Sequence, residues 1–133
     1  MRLASEGQLK YSVDDGYYRL VVIVDPELHR LFRSLVPRYY ICRPQRYPPH
    51  ITVVRGEAPK TDAWERHAGR SIQFEYDTYL HYDGTYWWFN CYSDLLTSIR
   101  LELGLPSSYR LTRPPDGAEC FHSTIGNSKE SPR

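Results

Sequence analysis

Two histidines of this chain each stand two places ahead of a threonine, in Pro49-His50-Ile51-Thr52-Val53 and in Phe121-His122-Ser123-Thr124-Ile125. Side chains alternate along an extended strand, so His50 and Thr52 project from one face, and His122 and Thr124 do the same. The opposite faces carry Ile51 and Val53 in one case, and Phe121, Ser123 and Ile125 in the other; both read as core-facing. A pair of such strands would offer two imidazoles and two hydroxyls to one cleft. An imidazole titrates near neutrality and can take up or deliver a proton. A threonine hydroxyl can donate to a non-bridging phosphate oxygen as charge builds there. The set suits phosphodiester cleavage without a metal, with one histidine as base, the other as acid, and Thr52 and Thr124 on the phosphate. The sequence does not assign base and acid. An attacking ribose 2′-hydroxyl would leave a 2′,3′-cyclic phosphate, whereas attack by water implies a substrate that is already cyclic.

Chance is the first competitor. The chain holds seven threonines and five histidines, so two matches arise in roughly 2–3% of shuffled chains, a modest ratio for so short a motif. His29, His67 and His81 lack the spacing. The setting of the triplets adds more than their count.

Tyr17 to Val24 is a β-rich run fit for an interior strand. Asp25-Pro26 then reads as a helix N-cap followed by proline in the first turn. Leu28, Leu31, Phe32 and Leu35 make one apolar stripe, and Pro37 ends the helix. A proline- and arginine-bearing connection leads to the first triplet. Thr61 is placed to cap a short second helix through Trp64 to Ala68, stopped by Gly69. Ser71 to His81 and Thr85 to Tyr92 read as a hairpin around Tyr82-Asp83-Gly84. Ser93 or Asp94 caps a further helix with Leu96, Ile99 and Leu103 inward, closed by Gly104 and Pro106. A loop containing Pro114-Pro115-Asp116-Gly117 precedes the second triplet, and Ser128 to Arg133 reads as a frayed tail. Each half thus runs strand, helix, loop, triplet strand. Two halves packed about an approximate two-fold would bring the triplets face to face.

Composition sets bounds. The 133 residues suffice for one domain with a real core. Seventeen basic against sixteen acidic residues give a net charge of +1, which disfavours long duplex nucleic acid as a partner but leaves a small nucleotide open. No apolar run approaches a membrane span, and the first eight residues lack the apolar core of a signal peptide. Three cysteines (Cys42, Cys91 and Cys120) are an odd number, expected as reduced, buried thiols of a cytoplasmic protein. There is no HxH, HExxH or paired-cysteine spacing, so no metal and no cofactor is expected.

On the two triplets and the repeated plan, the chain resembles the 2H phosphoesterase (LigT-like) superfamily over about Tyr17 to Asn127. The resemblance implies an α+β, bilobal fold: two pseudo-symmetric antiparallel-sheet lobes with outer helices and a central cleft, lobe 1 at about 10–70 and lobe 2 at about 71–127 of a single domain. It also implies that His50, Thr52, His122 and Thr124 are catalytic and that no metal is required. Members act on 2′,5′-linked or 2′,3′-cyclic phosphates, RNA ends or cyclic oligonucleotides. The runs 47–57, 86–90 and 99–106 are most similar to compact phage members that destroy the cyclic oligonucleotides of CBASS-type bacterial immunity, which implies such a substrate and the host cytoplasm.

Alternation along Tyr86 to Tyr92 puts Trp87, Phe89 and Cys91 on one face, read as core under the last helix, and Trp88, Asn90 and Tyr92 on the other. Trp88 and, supported partly by the resemblance, Tyr18 are the candidates for stacking on a base. The plain alternative for each is packing. Arg43, Arg46 and Arg55 flank the first triplet and could attract an anionic ligand, Arg55 foremost, or could be solvated surface. RNA-end processing and non-catalytic nucleotide sequestration remain the alternatives to cyclic-oligonucleotide cleavage.

Overall fold

The computed structural model describes residues 2–107 and 120–129. The loop expected at 114–117 and the last four residues of the expected tail lie outside them. One antiparallel sheet organises the chain. Its strands are β1 (Arg2–Asp14), β2 (Tyr17–Val24), β3 (Arg43–Pro44), β4 (His50–Arg55), β5 (Ser71–Asp77), β6 (His81–Tyr82), β7 (Tyr86–Tyr92) and β8 (Phe121–Asn127), with helices α1 (Pro26–Ser34) and α2 (Asp94–Glu102). The order across the sheet is β3-β8-β7-β5-β1-β2-β4, with β6 paired to β7. About the β1/β5 seam the order β1-β2-β4 is therefore mirrored by β5-β7-β8. The sheet curls far enough that β8 reaches β4 by a side-chain hydrogen bond, Ser123 Oγ donating to the His50 carbonyl at 2.8 Å.

β1 is an element that the sequence reading did not contain. Its first half, Leu3-Ala4-Ser5-Glu6-Gly7-Gln8, is polar and poor in β-branched residues, so propensity gives no signal. Pairing supplies what propensity lacks. Residues 2–8 pair with β5, and residues 7–14 pair with β2. Gly7 stands where both partners overlap; a Cβ there would lie 2.3 Å from the Ile23 carbonyl oxygen. Asp15 (φ 50°) and Gly16 (φ 78°) close the β1–β2 hairpin through a two-residue turn with both residues left-handed.

One face of the sheet carries the core and the other a cleft. Leu20, Val22, Val24, Ile51, Val53, Phe89, Cys91, Phe121 and Ile125 are buried on the core face, as strand alternation predicts for the triplets. Asp25 caps α1 by accepting from the Glu27 amide at 3.0 Å, with Pro26 in the first turn. Only half of the expected stripe meets the core: Phe32 is buried in it and Leu28 packs against it. Leu31 and Leu35 are 57% and 58% exposed, while His29 and Phe32 are buried. The helix is turned by Phe32 stacking on Phe89 (4.3 Å, 11°) and by His29 bonding to Ser123. Phe89 therefore packs under α1 and not under the last helix. That helix, α2, is capped by Ser93, buries Leu96 and Ile99, and ends at Leu103 before left-handed Gly104, as its sequence indicates.

Three further expectations are corrected. Residues 61–69 form turns and not a helix: Glu65 has φ 67°, and the Thr61 hydroxyl donates to the Glu102 carbonyl at 2.7 Å, tying the loop to the end of α2. The strand read as 71–81 breaks after Asp77; only β6 continues the tight hairpin, where Asp83 accepts from the amides of Thr85 and Tyr86. Ser128 is not frayed, because its amide donates to the Thr85 carbonyl at 2.8 Å. All three cysteines are free, Cys91 and Cys120 buried and Cys42 half-buried. No helix among the described residues is long and apolar enough to cross a membrane.

Arg100 of α2 is fully buried. Its guanidinium binds both Glu57 carboxylate oxygens (2.9 and 2.8 Å), the Val53 carbonyl (2.7 Å) and the Pro106 carbonyl (2.7 Å). It therefore fixes the exit from β4 against α2. Arg100→Met is expected to destabilise the chain by about 3–5 kcal/mol, because it removes a buried ion pair with Glu57 and the donors to two carbonyls. Urea unfolding at pH 7 checks this; a loss under about 1 kcal/mol would mean that the ion pair does not hold β4 in place.

Candidate active site

The triplet strands sit at mirrored places. On β4, His50 pairs with Ile23 and Thr52 with Val21; on β8, His122 pairs with Asn90 and Thr124 with Trp88. Each ladder then shifts by one residue directly after its threonine, so Val53 and Ile125 are left as bulges without a cross-strand partner. His50, Thr52, His122 and Thr124 are all half-buried and all line one open cleft of about 990 Å³. The structure thus brings the quartet together. How the rings are oriented follows from their partners.

His50 Nδ1 lies 2.8 Å from the Pro48 carbonyl oxygen. A carbonyl only accepts, so Nδ1 carries a proton and Nε2 is left for a ligand. Burial pushes the His122 pKa down to about 4, and the charge on His50 adds to the shift. At pH 7 His122 is neutral. Behind the cleft, His29 Nε2 lies 2.6 Å from Ser123 Oγ. That hydroxyl donates to the His50 carbonyl, so it must accept from His29 Nε2–H, which fixes the His29 tautomer. His29 too is pushed down to about 4, by burial first and then by Arg33 and His50.

Of the proposed ligand contacts, Trp88 and Arg55 line the cleft and Tyr18 does not. Tyr18 shares the core face of β2 with Leu20 and Val22 and meets Trp64 edge-on at 5.0 Å; the residues of β2 that reach the cleft are Arg19, Val21 and Ile23. Asn90 lines the cleft with Trp88, whereas Tyr92 bonds to Asp77 outside it. Arg43 and Arg46 are not among the described lining residues; Arg43 donates to the Lys129 carbonyl.

Several lining residues escaped the sequence reading. His81 stacks on Trp88 (5.5 Å, 12°), and its Nε2 lies 3.2 Å from Asn90 Nδ2, which can only donate. Trp88 in turn meets the His122 ring edge-on at 6.4 Å. The signal was present in the tight turn at Asp83-Gly84, which sets His81 opposite Trp88. Tyr79, Tyr82 and Tyr86 extend this aromatic wall, while Lys10, Arg19 and Arg55 stand across the cleft, and Asp83 is the one carboxylate among the described lining residues. A chain of nearly balanced charge thus concentrates cations on one wall and π-faces on the other. That arrangement can hold an anion beside a planar ring.

No group of three or more potential metal ligands occurs among the described residues. No protein-family model, curated protein or solved structure matches the chain.

Two buried neutral histidines make stability depend on pH. For His29 and His122 the unfolded chain, with pKa near 6.5, binds protons that the folded one refuses, so this contribution is whole above pH 6.5 and is lost as pH falls toward 4. His29→Gln keeps an N–H donor for Ser123 but cannot titrate. Between pH 7 and 4.5 the variant is expected to lose about 2–3 kcal/mol less stability than the parent. Urea midpoints at the two pH values measure it; parallel losses would place the His29 proton equilibrium elsewhere.

Proposed function

We propose that the chain is a metal-independent phosphodiesterase of the 2H type that cleaves cyclic oligonucleotides by histidine acid–base catalysis. The observation that carries this is the presence of both His-x-Thr faces, at mirrored register, in one cleft. The mirrored strand order supports the reading of two pseudo-symmetric lobes with the cleft between them. The cleft volume of about 990 Å³ is at the upper end for small-molecule sites, room for a nucleotide larger than a single phosphate ester.

His122, neutral at pH 7, takes the proton from the attacking hydroxyl, whose oxygen bonds to phosphorus. The leaving P–O bond breaks, and its oxygen receives a proton from His50 Nε2. Thr52 and Thr124 donate to the non-bridging oxygens as charge accumulates. Trp88, with His81 behind it, supplies a face on which a base stacks. This activity would remove the signals of CBASS-type antiphage immunity, in the host cytoplasm, as the sequence resemblance implies.

With a cyclic di- or trinucleotide, a 2′,3′-cyclic mononucleotide and 2′,5′-oligoadenylate offered separately in EDTA, mass spectrometry is expected to find linear product from the cyclic oligonucleotide. Cleavage of either other ligand alone would give RNA-end processing instead, and co-purification of uncut ligand a sequestering protein. His50→Ala and His122→Ala should each lose on the order of 10²–10⁴ in kcat; near-normal turnover by either would remove the mechanism. Because His122 must be neutral to act as base, the acid limb of kcat/KM should lie well below pH 6.5, toward the value of about 4 set by its burial. A limb at 6.5 would assign the base elsewhere.

A further inference from the structure

The bulges after Thr52 and Thr124 have different consequences on the two sides of the cleft. Regular alternation along β4 would send Arg55 to the core face, since His50 and Thr52 project into the cleft and Arg55 is an odd number of places beyond them. The bulge at Val53 restores it to the cleft face, level with and directly opposite Arg19 on β2. Two guanidinium-bearing residues are thus cross-strand partners on one wall of the cleft. Lys10, paired with Val21 one step along, brings a third cation to the same wall. Among the described residues no carboxylate makes an ion pair with Lys10 or Arg19. Arg55 also donates to the Tyr17 hydroxyl at 3.3 Å, which steadies its head group.

The mirrored positions on the other side are Tyr86 and Asn127, likewise cross-strand partners. There the polar groups are already engaged: the Asn127 amide bonds to Gln45 and accepts from the Lys129 amide at 3.1 Å, and the Lys129 ammonium lies 4.9 Å from the Tyr86 ring. The quartet is thus flanked by a cationic pair on one side and by a neutral pair on the other.

We propose that Arg19, Arg55 and Lys10 form a site for a second phosphate, next to the one gripped by the His/Thr quartet. The inference rests on the quartet being a phosphate site, as proposed above. Arg19 and Arg55 lie one side-chain repeat along β2 from the Thr52/Val21 pair, about 7 Å, close to the separation of neighbouring phosphates along a nucleotide strand. The ligand class this selects carries at least two phosphates separated by a nucleoside. It enters with its spare phosphate toward β2 and a base toward Trp88.

Adenosine 3′,5′-bisphosphate has that separation and no diester to cut; adenosine 5′-diphosphate has the same number of phosphates at the wrong separation; adenosine 5′-monophosphate has one. By titration calorimetry with the full chain, the bisphosphate is expected to bind about tenfold tighter than either other ligand. Arg19→Gln should abolish that preference while changing monophosphate affinity less than about twofold, and Lys10→Gln should weaken the bisphosphate by about threefold. Equal binding of bisphosphate and diphosphate, or equal weakening of bisphosphate and monophosphate by Arg19→Gln, would each overturn the site. A bisphosphate preference without any cleavage of cyclic dinucleotide would sink the hydrolase and leave this site standing. Cleavage without the preference would sink this site alone.

Discussion

One buried hydroxyl holds the two triplet strands together. Ser123 Oγ accepts from His29 on α1 and donates to the carbonyl of His50 on β4, so a helix and two non-adjacent strands meet at one atom. β4 and β8 lie toward opposite ends of the strand order and share no ladder. Without this bond the His50 carbonyl and the His29 N–H would be buried without partners, each at a cost of about 1–3 kcal/mol. The curl of the sheet brings His50 and His122 to one cleft, and the Ser123 bond is a directional restraint that fits only the curled form. It also bears on the cleft chemistry directly. The accepting carbonyl belongs to the residue whose ring is oriented by Pro48, so the backbone of His50 is pinned on one side and its imidazole on the other.

Packing around that bond explains why the rest of the molecule can stay polar on its cleft side. Phe32, Phe89 and Tyr76 fill the space beneath α1, with His29 edge-on to Phe89 at 5.7 Å. Arg100 takes the corresponding role under α2, joining Val53 at the first bulge to Pro106 and Glu57. A bulged residue leaves a carbonyl without its ladder partner, and here the Val53 carbonyl is taken by a guanidinium. The core face thus absorbs the irregularity while the cleft face gains a reoriented side chain.

Much of this was legible in the residues. β2 is legible to the residue, α2 with its inward face and with Ser93 as one of two candidate caps, and the triplet faces from alternation alone. What failed has common physical causes. Of the α1 stripe, Leu28 and Phe32 meet the core while Leu31 and Leu35 do not; a histidine with a buried hydroxyl partner outweighs those two leucines, and that partner is 94 residues away. β1 was missed because its strand character comes from two neighbours and not from its own composition. The ring of Tyr18 and, in part, the resemblance point to stacking, while alternation from Leu20 and Val22 places it on the core face. His81 was passed over for lacking a threonine, though the turn at Asp83-Gly84 carries it to Trp88.

The mirrored strand order and the proposed chemistry pull in different directions. A phosphodiester cleavage needs two proton carriers of unlike state, so two equivalent histidines in equivalent surroundings would compete for the same role. The structure separates them through their neighbours. His122 is depressed chiefly by burial beside Trp88, whereas His50 sits at the mouth among Pro48, Tyr47 and Gln45 with its Nδ1–H committed to a carbonyl. The charge on His50 adds to the depression of His122. The flanks follow the same division, cations beyond Thr52 and aromatics beyond Thr124. Mirrored backbones therefore supply the matched reach of the two imidazoles into the cleft, and unlike side chains around them give the two rings unlike surroundings.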